Sequence, residues 1–220
     1  MTAVHAVVFD LDGVLVDSFA AMREAFSIAY TEVVGSGTPP FEEYSRHLGL
    51  YFPDIMRKMD LPLTMEGPFI AASKQLADRV LVYDGVAEML LSLREAGLAT
   101  GVATGKHGWR ARELLDTVGL SSTLDVVIGS DEVSRPKPAP DIVEACLDKL
   151  GVPAAYAMYV GDAPADMQSA RAAAVRSVAA LWGGDGHGPG PLLAERPDLV
   201  CHRPSDVTSA ARGERFSYRA

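Results

Sequence analysis

At 220 residues, with 48% hydrophobic and 22% charged side chains, the chain is long enough to bury a core and too apolar to be disordered throughout. Its formal net charge of -9 argues against a broad basic footprint, so neither nucleic acid nor an anionic membrane is an expected partner. No apolar run approaches the roughly 20 residues that span a bilayer, and Met1 to Val8 lacks the basic start of a signal peptide, so a cytoplasmic protein is expected.

In chain order, Val4 to Phe9 is a β-branched and apolar run that predicts a strand buried on both faces, ending in an acidic loop at Asp10 to Asp12. From Ser18 to about Val82 the pattern changes to helices alone, around Ala20 to Val33, Phe41 to Leu48, Ile55 to Met59 and Phe69 to Val80, with turns at Pro39-Pro40 and Pro62. Beyond Tyr83-Asp84-Gly85 the strand rhythm resumes at Ala99 to Ala103, Val126 to Ile128, Ala157 to Val160 and Ser177 to Leu181. Helical stretches at Val86 to Ala96, Trp109 to Val118, Asp141 to Leu150 and Ala165 to Ala174 separate those runs. Strands alternating with helices of this length predict βαβ units, hence an α/β fold with a parallel sheet. The organisation expected is a core of residues 1–17 and 83–211, a helical insert at 18–82 and a loose tail at 212–220. Gly183 to Pro191 reads as a Gly- and Pro-rich surface loop.

Several stretches suggest chemistry and fail on detail. Gly184 to Gly190 follows a strand, but Pro189 and Pro191 spoil the helix start that a phosphate-cradling loop requires. Gly105-Lys106 resembles the end of a nucleotide-binding P-loop, yet position 100 is Thr and position 107 is His. Cys146 and Cys201 are far apart and lack metal-ligand spacing, and the histidines show none either, leaving His47 and His107 as candidates for substrate contact.

The strongest signal is Phe9-Asp10-Leu11-Asp12-Gly13, because carboxylates directly after a buried strand sit where a doubly wound sheet opens its ligand crevice. One carboxylate can attack a phosphoryl group while a second handles protons on the leaving and entering oxygens. Thr104 follows its strand with a hydroxyl suited to a phosphate oxygen or a helix N-cap. Lys137 lies in Arg135-Pro-Lys-Pro-Ala-Pro140, where prolines keep it out of a helix. In Gly161-Asp162-Ala-Pro-Ala-Asp166 the two acids share one helix face if Pro164 begins that helix, and acids packed so closely call for a cation. Magnesium, which takes oxygen ligands and keeps several waters, suits a site of few carboxylates.

Taken in order, the strand-end Asp-x-Asp, Thr104, Lys137 and Gly-Asp-x-x-x-Asp resemble the four motifs of the haloacid dehalogenase superfamily over nearly the whole chain. The resemblance implies a Rossmann-like core with an all-helical cap inserted after the first strand. It further implies a magnesium-dependent phosphatase working through an aspartyl-phosphate. By the same resemblance Asp10 is nucleophile and metal ligand, and Asp12 is general acid/base and offers its backbone carbonyl to the metal. Thr104 and Lys137 hold the phosphoryl group, Asp162 ligates the metal, and Asp166 supports Asp162 or Lys137. An acid at Asp12 favours phosphoryl chemistry over dehalogenation. Met22, where β-phosphoglucomutase-like relatives carry a histidine, disfavours a mutase. Gly105 and Ala163 depart from the usual Asn or Ser and Thr; Gly105 either leaves room near the phosphate or supplies only its backbone N–H.

The stretches Glu43 to Arg57 and Ala103 to His107 are similar to phosphatase-like proteins of 3-amino-5-hydroxybenzoate formation in ansamycin-type antibiotic pathways. That resemblance makes Arg46, His47 and Tyr51 candidate cap contacts, beside Thr104, Gly105 and Lys106 in the core. The alternative is a phosphoglycolate-type or general sugar-phosphate phosphatase; a non-catalytic binding protein is the reading from a different class. The partner implied is a small phosphorylated metabolite, acted on by a monomer or homodimer.

Overall fold

Short apolar runs supply the strands, and amphipathic stretches between them supply the crossovers. The computed structural model describes residues 3–183 and 188–214. The first strand, β1 (Ala6–Phe9), leads through the acidic loop to β2 (Val16–Asp17). Four helices follow, α1 (Phe19–Val33), α2 (Phe41–Ser45), α3 (Phe52–Lys58) and α4 (Glu66–Gln75), before β3 (Leu81–Val82) returns antiparallel beside β2. The rest alternates: α5 (Val86–Glu95), β4 (Ala99–Thr104), α6 (Gly108–Thr117), β5 (Val126–Gly129), α7 (Asp141–Leu150), β6 (Ala157–Gly161), α8 (Pro164–Ala172), β7 (Arg176–Ala180), α9 (Gly190–Ala194), β8 (Leu199–Cys201) and α10 (Pro204–Ala211).

Six strands form one parallel sheet in the order β5-β4-β1-β6-β7-β8. In the centre, Phe9 is registered with Val102 of β4 on one side and Val160 of β6 on the other. Successive residues of β1 face opposite ways, so Val7 and Phe9 join the apolar cluster that includes α5, α6 and α10, while Ala6 and Val8 join the one built on α7. On α5 the buried residues Val86, Met89, Leu90 and Leu93 recur at helical spacing and form one apolar stripe. Burial of each is worth roughly 2 kcal/mol. Gly151 ends α7 in the left-handed region, φ 67°, its N–H closing on Asp148 and Leu147 carbonyls.

The insert holds together through aromatic packing. Phe26 stacks on Tyr44 at 4.5 Å between ring centroids, and Phe52 on Phe69 at 4.3 Å, tying α1, α2, α3 and α4 into one layer. Its only β-structure is the two-residue ribbon at its base, where Val16 faces Val82 and Asp17 faces Leu81. Among the described residues no helix is long and apolar enough to cross a membrane.

Three features differ from the sequence expectation. Part of the segment read as a surface loop is α9, with Pro191 in its first turn, where a proline gives up an N–H that has no helical partner anyway. Residues 184–187 of that loop lie outside the described residues, as do 215–220 of the expected tail. Strand β8 and helix α10 complete the far edge of the sheet. At three residues β8 is too short to show a period in the sequence.

Candidate active site

Because β1, β4 and β6 are neighbours and parallel, their carboxyl ends bring Asp10, Thr104 and Asp162 to one edge of the sheet. These residues line a cavity of about 70 Å³ together with Asp12, Gly105 and Lys106, roofed from the insert by Tyr44, Leu50 and Phe69. That is room for roughly five water-sized groups. Both free cysteines are buried elsewhere in the core.

Beneath the cavity lies a buried polar cluster. Lys137, whose side chain is 0% exposed, sits 2.7 Å from Asp166 Oδ1 and 3.1 Å from Asp10 Oδ1. The contact to Asp10 has ion-pair distance without hydrogen-bond geometry, so Asp10 Oδ1 is buried with no donor. Asp166 is saturated: Oδ1 also faces the Tyr159 hydroxyl at 3.0 Å, and Oδ2 accepts from the Ala163 N–H at 3.0 Å, capping α8. The Tyr159 hydroxyl lies 2.7 Å from the Ala103 carbonyl and accepts from Lys137 at 3.3 Å.

Oxygens of Asp10, Asp162 and Asp166 all lie within 4.8 Å of one another. Burial outweighs the attraction of Lys137 and pushes the Asp10 carboxyl up to about 7. Asp162 is raised well above the usual carboxylate range by burial and by its two acidic neighbours. Two buried acids and the half-buried Asp162 against one ammonium make an excess of negative charge that a divalent cation would relieve, and Asp10 Oδ1, paired only with Lys137, accepts no hydrogen bond. Gly13 has φ 81°, and a Cβ there would fall 1.9 Å from Asp162 Oδ2, so only glycine lets that carboxylate close on the loop. The donor set therefore fits a hard dication.

Asp12 points elsewhere in the same cavity. It accepts a 2.5 Å hydrogen bond from Ser18 and pairs with Lys106 at 3.1 Å. Burial pushes its carboxyl up, but the Lys106 ammonium and the Ser18 hydroxyl outweigh that and hold it below its ordinary value. Thr104 is buried, and its hydroxyl accepts from the Lys106 N–H at 3.3 Å.

The residues expected at the strand ends therefore converge: Asp10, Asp12, Thr104, Gly105, Lys106 and Asp162 on the cavity, Lys137 and Asp166 directly below. The expected insert contacts do not. Helix α2 turns Phe41 and Tyr44 inward and leaves Arg46 exposed, while Tyr51 packs edge-on against His107 at 5.3 Å. Neither these two nor His47 lines the cavity, whereas Tyr44, Leu48 and Gly49 do. His107 does line it, and its Nε2 lies 2.9 Å from Glu66 of α4, linking insert to core.

The Gly105 departure has a steric cause. A Cβ at Gly105 would lie 2.7 Å from the Leu50 carbonyl oxygen and 2.8 Å from that of Gly49. A Cβ at Gly49 would in turn lie 2.7 Å from the Ala163 methyl. Glycine is needed at both 105 and 49 because the insert's 49–50 turn rests on the core loops there. Tyr159, Ser18 and Arg110 were not singled out in the sequence; a lone tyrosine in an otherwise apolar strand is the one such signal it offered.

The haloacid dehalogenase-like hydrolase family profile matches residues 7–180. "Probable phosphatase IndB" of Dickeya dadantii (strain 3937) is 32% identical over 219 residues, covering 93% of this chain and 92% of that protein. A "Phosphoglycolate phosphatase" of Xylella fastidiosa (strain 9a5c) is 32% identical, covering 89% and 91%. In fold, a hydrolase from Pseudomonas syringae superposes with TM-score 0.83 at 24% identity, covering 94% of this chain and 98% of its own. By profile and by sequence, the chain belongs to the haloacid dehalogenase-like hydrolase family.

Proposed function

We propose that the protein is a phosphate monoester hydrolase in which Asp10 is the nucleophile. The observation that carries this reading is a buried Asp10 that lines the cavity and pairs with the Lys137 ammonium at 3.1 Å. Asp10, Asp162 and the Asp12 main-chain carbonyl are the residues that would hold a magnesium ion. Bound there, it supplies positive charge that balances the acids and the substrate phosphate.

The Asp10 carboxylate attacks phosphorus, the bond to the ester oxygen breaks, and that oxygen takes a proton from Asp12 as it leaves. Water then gives a proton to Asp12 and attacks the phosphorus, restoring Asp10 and releasing orthophosphate. To serve as the acid, Asp12 has to exchange its ion pair with Lys106 for a proton, and an arriving phosphate that draws Lys106 to itself would have that effect. Thr104 and the main-chain N–H groups after it hold the phosphoryl oxygens. Lys137 offsets part of the burial cost of ionising Asp10 for attack, and Asp166 fixes Lys137. The insert, residues 18–82, acts as the cap that excludes water.

The relatives' names favour a phosphoglycolate-type or general sugar-phosphate substrate over a 3-amino-5-hydroxybenzoate precursor, and we adopt the former. The test is phosphate release from 2-phosphoglycolate and a sugar-phosphate panel with and without magnesium, using Asp10→Asn as the blank. Undiminished release by that variant would remove Asp10 as nucleophile.

A further inference from the structure

A second cavity, about 150 Å³, adjoins the first under the insert. Ser18, Met22, Phe69, Lys106 and Arg110 line both, so Arg110 stands at the passage between them. Its guanidinium packs over the Phe69 ring, 5.4 Å from the centroid, and is largely withdrawn from solvent, which holds it below its ordinary value.

What distinguishes Arg110 is its lack of a counter-ion. Three acids surround it, and each is engaged by another side chain: Asp12 by Lys106 at 3.1 Å, Glu66 by the His107 ring at 2.9 Å and Glu113 by Lys74 at 2.6 Å. Among the described residues Arg110 forms no ion pair or hydrogen bond. A guanidinium taken out of water without a partner is costly, and one facing a cavity is a ready binding group for an incoming anion. It stands on α6 and takes no part in the ion-paired cluster at Lys137. We propose that Arg110 binds a second anionic group of the substrate, a carboxylate or a further phosphate, so that acidic phosphate esters are preferred to neutral ones. This assignment rests on the phosphatase reading and specifies its substrate class.

Two matched pairs test it. 2-Phosphoglycolate and 2-hydroxyethyl phosphate differ only in a carboxylate, and xylulose 1,5-bisphosphate and xylulose 5-phosphate differ only in a second phosphate. The wild-type protein should favour the acidic member of at least one pair in kcat/KM, and which pair responds identifies the anion. Arg110→Met should shrink that ratio about tenfold or more, the loss expected for one charge-assisted contact. Arg110→Lys, which keeps the charge and loses the planar fork, should give an intermediate ratio and serves if the methionine variant does not fold. A wild-type ratio near one in both pairs, or a ratio unchanged in the folded variants, would overturn the assignment of Arg110 alone. No phosphate release from any of the four esters would overturn the phosphatase reading and this proposal with it.

Discussion

Replacing Gly105 by alanine tests whether the insert closes directly on the phosphate loop. The added methyl would lie 2.7 Å from the Leu50 carbonyl oxygen and 2.8 Å from that of Gly49, where ordinary contact begins near 3.4 Å, so the 49–50 turn has to retreat by about 0.7 Å. Both close atoms are main chain, so no side-chain rotation relieves the overlap. If the turn retreats, the cavity roof formed by Leu48, Gly49 and Leu50 lifts from the phosphoryl site; misplacement of about 1 Å costs on the order of a hundredfold in rate, so about a tenfold or larger loss in kcat/KM is expected with little change in melting temperature. If it cannot retreat, overpacking costs about 1–3 kcal/mol of stability instead. The measurement is magnesium-dependent phosphate release beside thermal melting of the same samples. Gly67→Ala is the control, because that exposed helical glycine has nothing within 4 Å of an added Cβ, and it should retain activity and gain about 0.4–1 kcal/mol. Wild-type kcat/KM together with wild-type melting in Gly105→Ala would refute the claimed contact.

Lys137→Met strips the counter-ion from Asp10 and Asp166 in a fully buried site, so urea denaturation should show a loss of about 3–5 kcal/mol; a loss below about 1 kcal/mol would contradict the pairing. Tyr159→Phe removes the hydroxyl between Lys137, Asp166 and the Ala103 carbonyl and should cost about 1–3 kcal/mol by the same assay, with near-wild-type stability counting against the network. Magnesium at about 100 times its dissociation constant should stabilise the protein by about 2.7 kcal/mol, a rise of roughly 5–10 °C in melting temperature. Sodium chloride at matched ionic strength should not reproduce that rise, and Asp162→Asn should abolish most of it; an undiminished rise would exclude Asp162 as a ligand.

The core was legible because a parallel sheet covered on both faces demands continuous apolar runs, and Ala6–Phe9, Ala99–Thr104 and Ala157–Gly161 are such runs. Asp10, Thr104 and Asp162 were legible for the related reason that a polar residue ending such a run must face the sheet's carboxyl edge. Two-residue strands such as Val16–Asp17 carry no period, and proline in α9 was misread as a barrier although it occupies the first turn. Tyr159 and Arg110 carry no sequence signature because their significance lies in partners far along the chain: Tyr159 meets a carbonyl 56 residues away, and Arg110 is defined by acids that other side chains occupy. The same holds for Gly105, whose smallness only makes sense once the turn at 49–50 is laid across it.

The ribbon pairing Val16–Asp17 with Leu81–Val82 joins the helical insert to the sheet by two residues on each side. Among the described residues the other polar ties between insert and core include the Ser18 hydrogen bond to Asp12, Lys74 to Glu113, with side chains 64% and 44% exposed, and His107 to Glu66, 15% and 31% exposed. An exposed ion pair such as Lys74 to Glu113 is worth about 0–1 kcal/mol, so the electrostatic share of the contact between insert and core is small. On the proposed reading of the insert as a cap, the narrow stem is its hinge, and added electrolyte, by screening that pair, should ease product escape more than it disturbs the chemistry beneath.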